Sequence, residues 1–167
     1  MIARRSTTGW LRSIALVMTL ACAMFAAASP ASADERAAVL AAHAQFYAAL
    51  NQMFKGDLAA MTKVWSHAGD VTYMGPTGDY EHGWSAVLKD WQGQAAMKLG
   101  GSVAPSDMQA VIGPRVAVVS NYEVGENTNA QGKVEHLKLR ATNIFRKEGK
   151  VWKMVGHHTD KLPYLAK

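Results

Sequence analysis

Beyond residue 34 the apolar positions fall first at helical and then at strand spacing. From Glu35 to Phe54 they are Val39, Leu40, Phe46, Tyr47, Leu50, Met53 and Phe54, with His43 in the same stripe. Steps of three, four and seven residues put such positions on one face of an amphipathic helix. Gly56 supplies a stop and Asp57 a new N-cap, after which Leu58, Met61, Val64 and Trp65 repeat the pattern for a short second helix. Val71 to Met74 reads as a strand. Gly75-Pro76-Thr77-Gly78 has turn chemistry, and Asp79 to His82 returns as a second short strand. Trp84, Val87, Leu88, Trp91 and Ala95 then share one face of a third helix, which Gly100-Gly101 ends.

The remainder is strand-like. Met108 to Ile112, Val116 to Val124, Val134 to Arg146 and Val151 to His158 are rich in β-branched and aromatic residues, and turn residues separate them. Long hairpins of this kind make an antiparallel sheet. In the third of these strands Leu137, Leu139, Ala141, Asn143 and Phe145 share a face, while His136, Lys138, Arg140 and Thr142 occupy the other. In the last strand Lys153 sets the phase, placing Trp152, Met154, Gly156 and His158 inward and Val151, Val155 and His157 outward. A one-residue bulge would reverse the end of that assignment.

The first 33 residues change how the composition is read. Arg4, Arg5 and Arg12 precede an uncharged apolar run from Ile14 to Ala28, and Ala31 and Ala33 are small residues before Asp34 and Glu35. This is the pattern of a secretory signal peptide cut after Ala33, with a run short of the roughly 20 residues a spanning helix needs. Residues 34–167 are then the single folded domain, secreted or periplasmic, with no membrane segment left after cleavage. The 167 residues hold 18 Lys and Arg, 13 Asp and Glu, and a net charge of +5. Loss of the three leader arginines leaves 15 basic residues and a net charge of +2. No Lys/Arg cluster with interleaved aromatics remains, so nucleic acid is not an expected partner. The one cysteine, Cys22, goes with the leader, which excludes thiol catalysis, disulfides and Cys-ligated zinc from the mature chain.

Four segments carry a family resemblance: Asp70-Val71-Thr72-Tyr73-Met74-Gly75-Pro76, Gly83-Trp84, Arg140-Ala141-Thr142-Asn143-Ile144-Phe145-Arg146, and Trp152-Lys153-Met154-Val155-Gly156-His157-His158-Thr159-Asp160. In this order of elements they resemble the SnoaL-like branch of the nuclear transport factor 2-like superfamily, the ketosteroid isomerase-like cone fold. The resemblance implies an α+β fold of three N-terminal helices packed on a curved antiparallel sheet, a cone-shaped α+β barrel, with homodimers formed through the sheet's outer face. It implies no reaction, because the superfamily includes isomerases, dehydratases, cyclases and non-catalytic assembly domains.

Ketosteroid isomerases pair a carboxylate base with a tyrosine and a protonated acid that stabilise the enolate. Tyr47 resembles that tyrosine. Near Tyr73 to Pro76, where the base would lie, the chain offers Met74 and Gly75 instead, and Asn121 stands where the second donor is expected. Steroid isomerisation by that route is therefore disfavoured. The polar cluster His157-His158-Thr159-Asp160 offers His158 as a general acid or base oriented by Asp160, since alternate strand residues share a face. Joined by His43 or His67, the same pair has the composition of a two-histidine, one-carboxylate iron site. A structural reading, with no metal and no cofactor, competes with it. Tyr47, Trp65, Tyr73, Trp84, Tyr122 and Asn143 are candidates for an apolar pocket with few polar anchors, although each aromatic also reads as core. Two functions remain. One is a homodimeric domain that binds a small, largely apolar organic molecule, with any catalysis a cofactor-free proton transfer through His158. The other is a non-catalytic interaction module with a filled core.

Overall fold

The computed structural model describes residues 30–129 and 131–161. The leader expected over residues 1–33 lies almost entirely outside them, and contacts divide the chain between Ala33 and Asp34. The elements run α1 (Pro30–Met53), α2 (Ala59–Val64), β1 (Thr72–Met74), β2 (Tyr80–His82), α3 (Trp84–Met97), β3 (Ser102–Ile112), β4 (Val116–Thr128), β5 (Val134–Glu148) and β6 (Val151–Asp160).

The α1 stripe buries Val39, Ala42, His43, Phe46, Tyr47, Leu50 and Met53. Gly56, at φ +96°, takes the left-handed turn that separates α1 from α2 at no steric cost. Asp57 accepts the Ala59 N–H at 2.9 Å. The third helix ends earlier than its Gly-Gly signal suggests, because Lys98 itself adopts a left-handed conformation and its N–H bonds the Ala95 carbonyl.

Six strands form one sheet in the order β2-β1-β6-β5-β4-β3, unclosed at its two edges. Every pairing is antiparallel except that of β1 with β6, which is parallel. β3 begins six residues before the expected Met108, since Ser102 to Ser106 pair with Glu126 to Tyr122 despite carrying Pro105 and few β-formers. Cross-strand pairing outweighs local propensity there. The strands approach closely at one place, where a Cβ on Gly125 would lie 2.0 Å from the Ser102 carbonyl oxygen. The helices cover one face of the sheet, and Phe46, Met53, Met61, Trp65, Trp91, Phe145 and Met154 are fully buried between the layers. Each such side chain contributes about 1.5–3 kcal/mol by leaving water.

The β5 alternation is as expected, with Leu139, Ala141, Asn143 and Phe145 buried. β6 differs. Phe145 pairs with Met154 but Ile144 pairs with Gly156, so Val155 is an extra, unmatched residue. The Met154 carbonyl is taken by the Ser66 N–H at 2.9 Å, and β1 begins to pair at Gly156. The bulge changes the phase of the strand: Trp152 and Met154 point inward before it, His157 and Thr159 after it. His158 is exposed on the outer face, a correction to its expected inward orientation.

Candidate functional site

A half-open cavity of about 290 Å3 lies between the helices and the inner face of the sheet. Leu50, Phe54, Trp91, Val103, Leu137 and Leu139 give it apolar walls, and its exposed lining residues, Pro76 and Glu135, mark the mouth. Buried Tyr73 from β1 lines the interior together with a carboxyl and an imidazole, those of Glu123 from β4 and His157 from β6, 5% and 4% exposed. They meet at 3.6 Å between Glu123 Oε1 and His157 Nε2.

Behind them runs a buried hydrogen-bonded chain whose polarity two backbone carbonyls fix. Asn121 Nδ2 donates to the Tyr122 carbonyl at 2.9 Å and to the Tyr47 hydroxyl at 2.8 Å. Tyr47 therefore donates onward to Glu123 Oε1, at 3.0 Å. Asn143 Nδ2 donates to Asn121 Oδ1 at 3.0 Å and reaches the Val119 carbonyl at 3.4 Å. Its Oδ1 thus accepts from His157 Nδ1 at 2.7 Å. His43 Nε2 lies 3.0 Å from Asn121 Oδ1 and donates to it. A proton on His157 Nδ1 leaves Nε2 as a lone pair aimed at Glu123. Two lone pairs facing each other repel, so the pair holds together best with one proton between them.

Electrostatics points the same way. Burial pushes the Glu123 carboxyl up to about 7, against the opposing hydrogen bond from Tyr47. Burial pushes His157 down to about 3, helped by His158 and His43. Burial likewise raises the Tyr47 and Tyr73 hydroxyls and lowers His43. Although 3.6 Å is ion-pair range, near neutral pH the geometry describes a neutral imidazole beside a carboxyl group that exists in both forms. The pair sits at the wall of a half-open, largely apolar cavity.

The sequence-predicted residues are divided by the sheet. Tyr73 lines the cavity, its ring 4.4 Å from Trp91 and stacked at 5.8 Å on His157. Tyr47 and Asn143 stand behind the lining, holding Glu123 and His157. Trp65 is buried in the core, away from the cavity lining, its indole N–H without a partner among the described residues. Trp84 stacks on His67 at 4.3 Å. Tyr122 is on the outer face, 37% exposed, beneath the Lys138 ammonium. His158 and Asp160 are also on that face, and Asp160 takes a two-pronged bond from Arg140 at 2.8 and 2.9 Å instead of orienting an imidazole. With His43 on the inner side, the iron arrangement is not assembled, and no group of three metal-ligating side chains converges among the described residues.

Glu123 and His157 are the residues the sequence reading missed. Alternation in β4 carries the signal: with Ala117 and Val119 inward, Asn121 and Glu123 follow. Val116-Ala117-Val118-Val119 is apolar at both phases, which hid it.

The sequence profile of the SnoaL-like domain matches residues 39–161. This chain belongs to the SnoaL-like domain family. Its SnoaL-like domain is similar to the crystal structure of a protein from Streptomyces avermitilis named "putative dehydratase from the NTF2-like family", with TM-score 0.68 and 21% identity over 78% of this chain and 98% of that one. It is also similar to a nuclear transport factor 2-like superfamily protein from Salmonella enterica serovar Typhimurium, with TM-score 0.69 and 12% identity over 81% and 98% of the two chains. A third likeness is to a "putative calcium/calmodulin-dependent protein kinase type II association domain" from Thiobacillus denitrificans, with TM-score 0.60 and 23% identity over 74% and 94%. Identities this low establish the fold alone. No curated protein matches the sequence.

Proposed function

We propose that this SnoaL-like domain binds a small, largely apolar organic molecule in its cavity, and that Glu123, backed by His157, is the group that exchanges a proton with it. The observation that carries the reading is the placement of one carboxyl group in an apolar chamber. Both of its contacts, to Tyr47 and His157, fall on the same oxygen. The second oxygen is left for a guest. A volume of about 290 Å3 suits a compact ligand, near the lower end of the roughly 300–1,000 Å3 common for small-molecule sites. A carboxyl with its pKa near 7 is well matched to give or take a proton at neutral pH.

The same reading has the first 33 residues direct export and the outer face of the sheet join two copies. The basic and apolar pattern of the leader supports the first, and exposed Tyr122, Val124 and Val111 support the second. N-terminal sequencing of the exported protein should begin at Asp34. For the cavity, thermal melting of the purified chain against a panel of hydrophobic alcohols, carbonyl compounds and amines should give shifts for some members. The shifts should change in Glu123→Gln and persist in His158→Ala. Absence of any shift across the panel removes the ligand-binding reading and leaves an assembly module.

A further inference from the structure

Resting on that reading of the cavity, we infer that its ligand is a lipophilic amine, whose ammonium group pairs with Glu123 while its hydrocarbon part lies against Phe54, Tyr73 and Trp91. The argument starts from what Glu123 lacks. A buried carboxylate is normally matched by a lysine, an arginine or a metal. Among the described residues that line this cavity there is no lysine and no arginine. Its nearest basic group, His157, presents a lone pair, because Asn143 holds the ring proton on the far nitrogen. The remaining titratable groups around it are Tyr47 and, beside it on α1, His43, which burial holds toward its neutral form, Tyr73 from β1, with Asp90 behind it on α3, and Glu135 from β5 at the mouth. None brings positive charge.

The walls suit a cation as well. Tyr73 and Trp91 have ring centroids 4.4 Å apart at 44°, and Tyr73 lies parallel to the His157 ring. Aromatic rings that line the same cavity as a carboxylate attract an alkylammonium group through the ring quadrupole. The chamber accordingly discriminates by charge. An ammonium ion gains the carboxylate and the aromatic faces, and a neutral alcohol gains one hydrogen bond. A carboxylate guest meets Glu123 and Glu135 with no compensating cation. Below pH 7 binding moves one proton, which Glu123 gives up to solvent as the ammonium pairs with its free oxygen, and above pH 7 it moves none.

Three probes sharing one apolar body test this on the purified full chain by calorimetry: 4-phenylbutylamine, 4-phenylbutanol and 4-phenylbutanoate. At pH 8 the amine should bind at least about tenfold more tightly than the alcohol, and the carboxylate should not bind. Amine affinity should fall about tenfold for each pH unit below 7, as the proton on Glu123 competes, while alcohol affinity changes by less than about threefold between pH 8 and pH 5. In Glu123→Gln, which can still accept from Tyr47, the preference for amine over alcohol should vanish. The pH series on the parent chain gives the same answer should that variant not fold. Equal affinity for amine and alcohol at pH 8, tighter binding of the carboxylate, or an amine preference that survives Glu123→Gln or is flat with pH overturns the inference while leaving the cavity reading in place. Silence from all three probes overturns both.

Discussion

The two faces of the sheet carry nearly the same chemical groups and do different things with them. Inside are His157, Glu123 and Asn143; outside, one step along the same strands, are His158, Tyr122 and Thr142, with Asp160 close by. Outside, Asp160 meets Arg140 in water and Tyr122 lies under Lys138, so each charge has a partner and solvent to screen it. Inside, the described residues supply no lysine or arginine, and burial moves the proton affinities of Glu123 and His157 toward one another's ordinary range. Proton affinity in this fold is set by which side of a strand a residue occupies.

That contrast can be broken most severely at Asn143. Asn143→Ala strips His157 Nδ1 of its partner and leaves Asn121 Oδ1 to His43 alone, and at about 1–3 kcal/mol for the one stranded group, with the lost packing added, it should destabilise the domain by up to about 3 kcal/mol. Thr142→Ala, on the other face, should cost less than about 0.5 kcal/mol. Chemical denaturation of both variants checks the pair.

A comparable effect should appear in the pH dependence of stability. Folding lowers His157 from its ordinary 6.5 to about 3, so the unfolded chain binds the proton first and stability is lost as pH falls below 6.5. Folding raises Glu123 from 4.5 to about 7, so the unfolded chain releases its proton first and stability is lost as pH rises above 4.5. Between pH 4.5 and 6.5 these two slopes oppose and cancel. Glu123→Gln should uncover the histidine slope, a gain of about 3 kcal/mol from pH 4.5 to 6.5, and His157→Gln the opposite one. Identical pH profiles for both variants and the parent would show that neither group is dry.

The smallest effects belong to the outer face. His158→Ala should leave the melting temperature within about 1 °C and ligand shifts unchanged. Asp160→Asn should lose whatever the Arg140 contact contributes, in a manner that added salt masks.

Much of this was legible before any coordinates. The α1 stripe, the β1–β2 turn and the β5 alternation follow from periodicity, because one wet face and one dry face force a visible pattern. The site was less legible. His157 and His158 are adjacent, and only the unmatched residue at Val155 decides which enters the cavity. Beside that bulge the Met154 carbonyl is taken by the Ser66 N–H, 88 positions away in sequence, a contact no local spacing encodes. Glu123 was hidden for the related reason that β4 is apolar on both faces where it starts. Tyr122, by contrast, was assigned to the pocket as an aromatic, when its neighbours' phase places it outside.

Val155 also serves as an expansion joint. Since the ladder resumes with Gly156 opposite Ile144 and His157 opposite Asn143, loss of one residue between Met154 and His157 would restore a regular strand without exchanging what either side presents. Homologues that differ by a one-residue gap at this point should therefore keep the same interior lining.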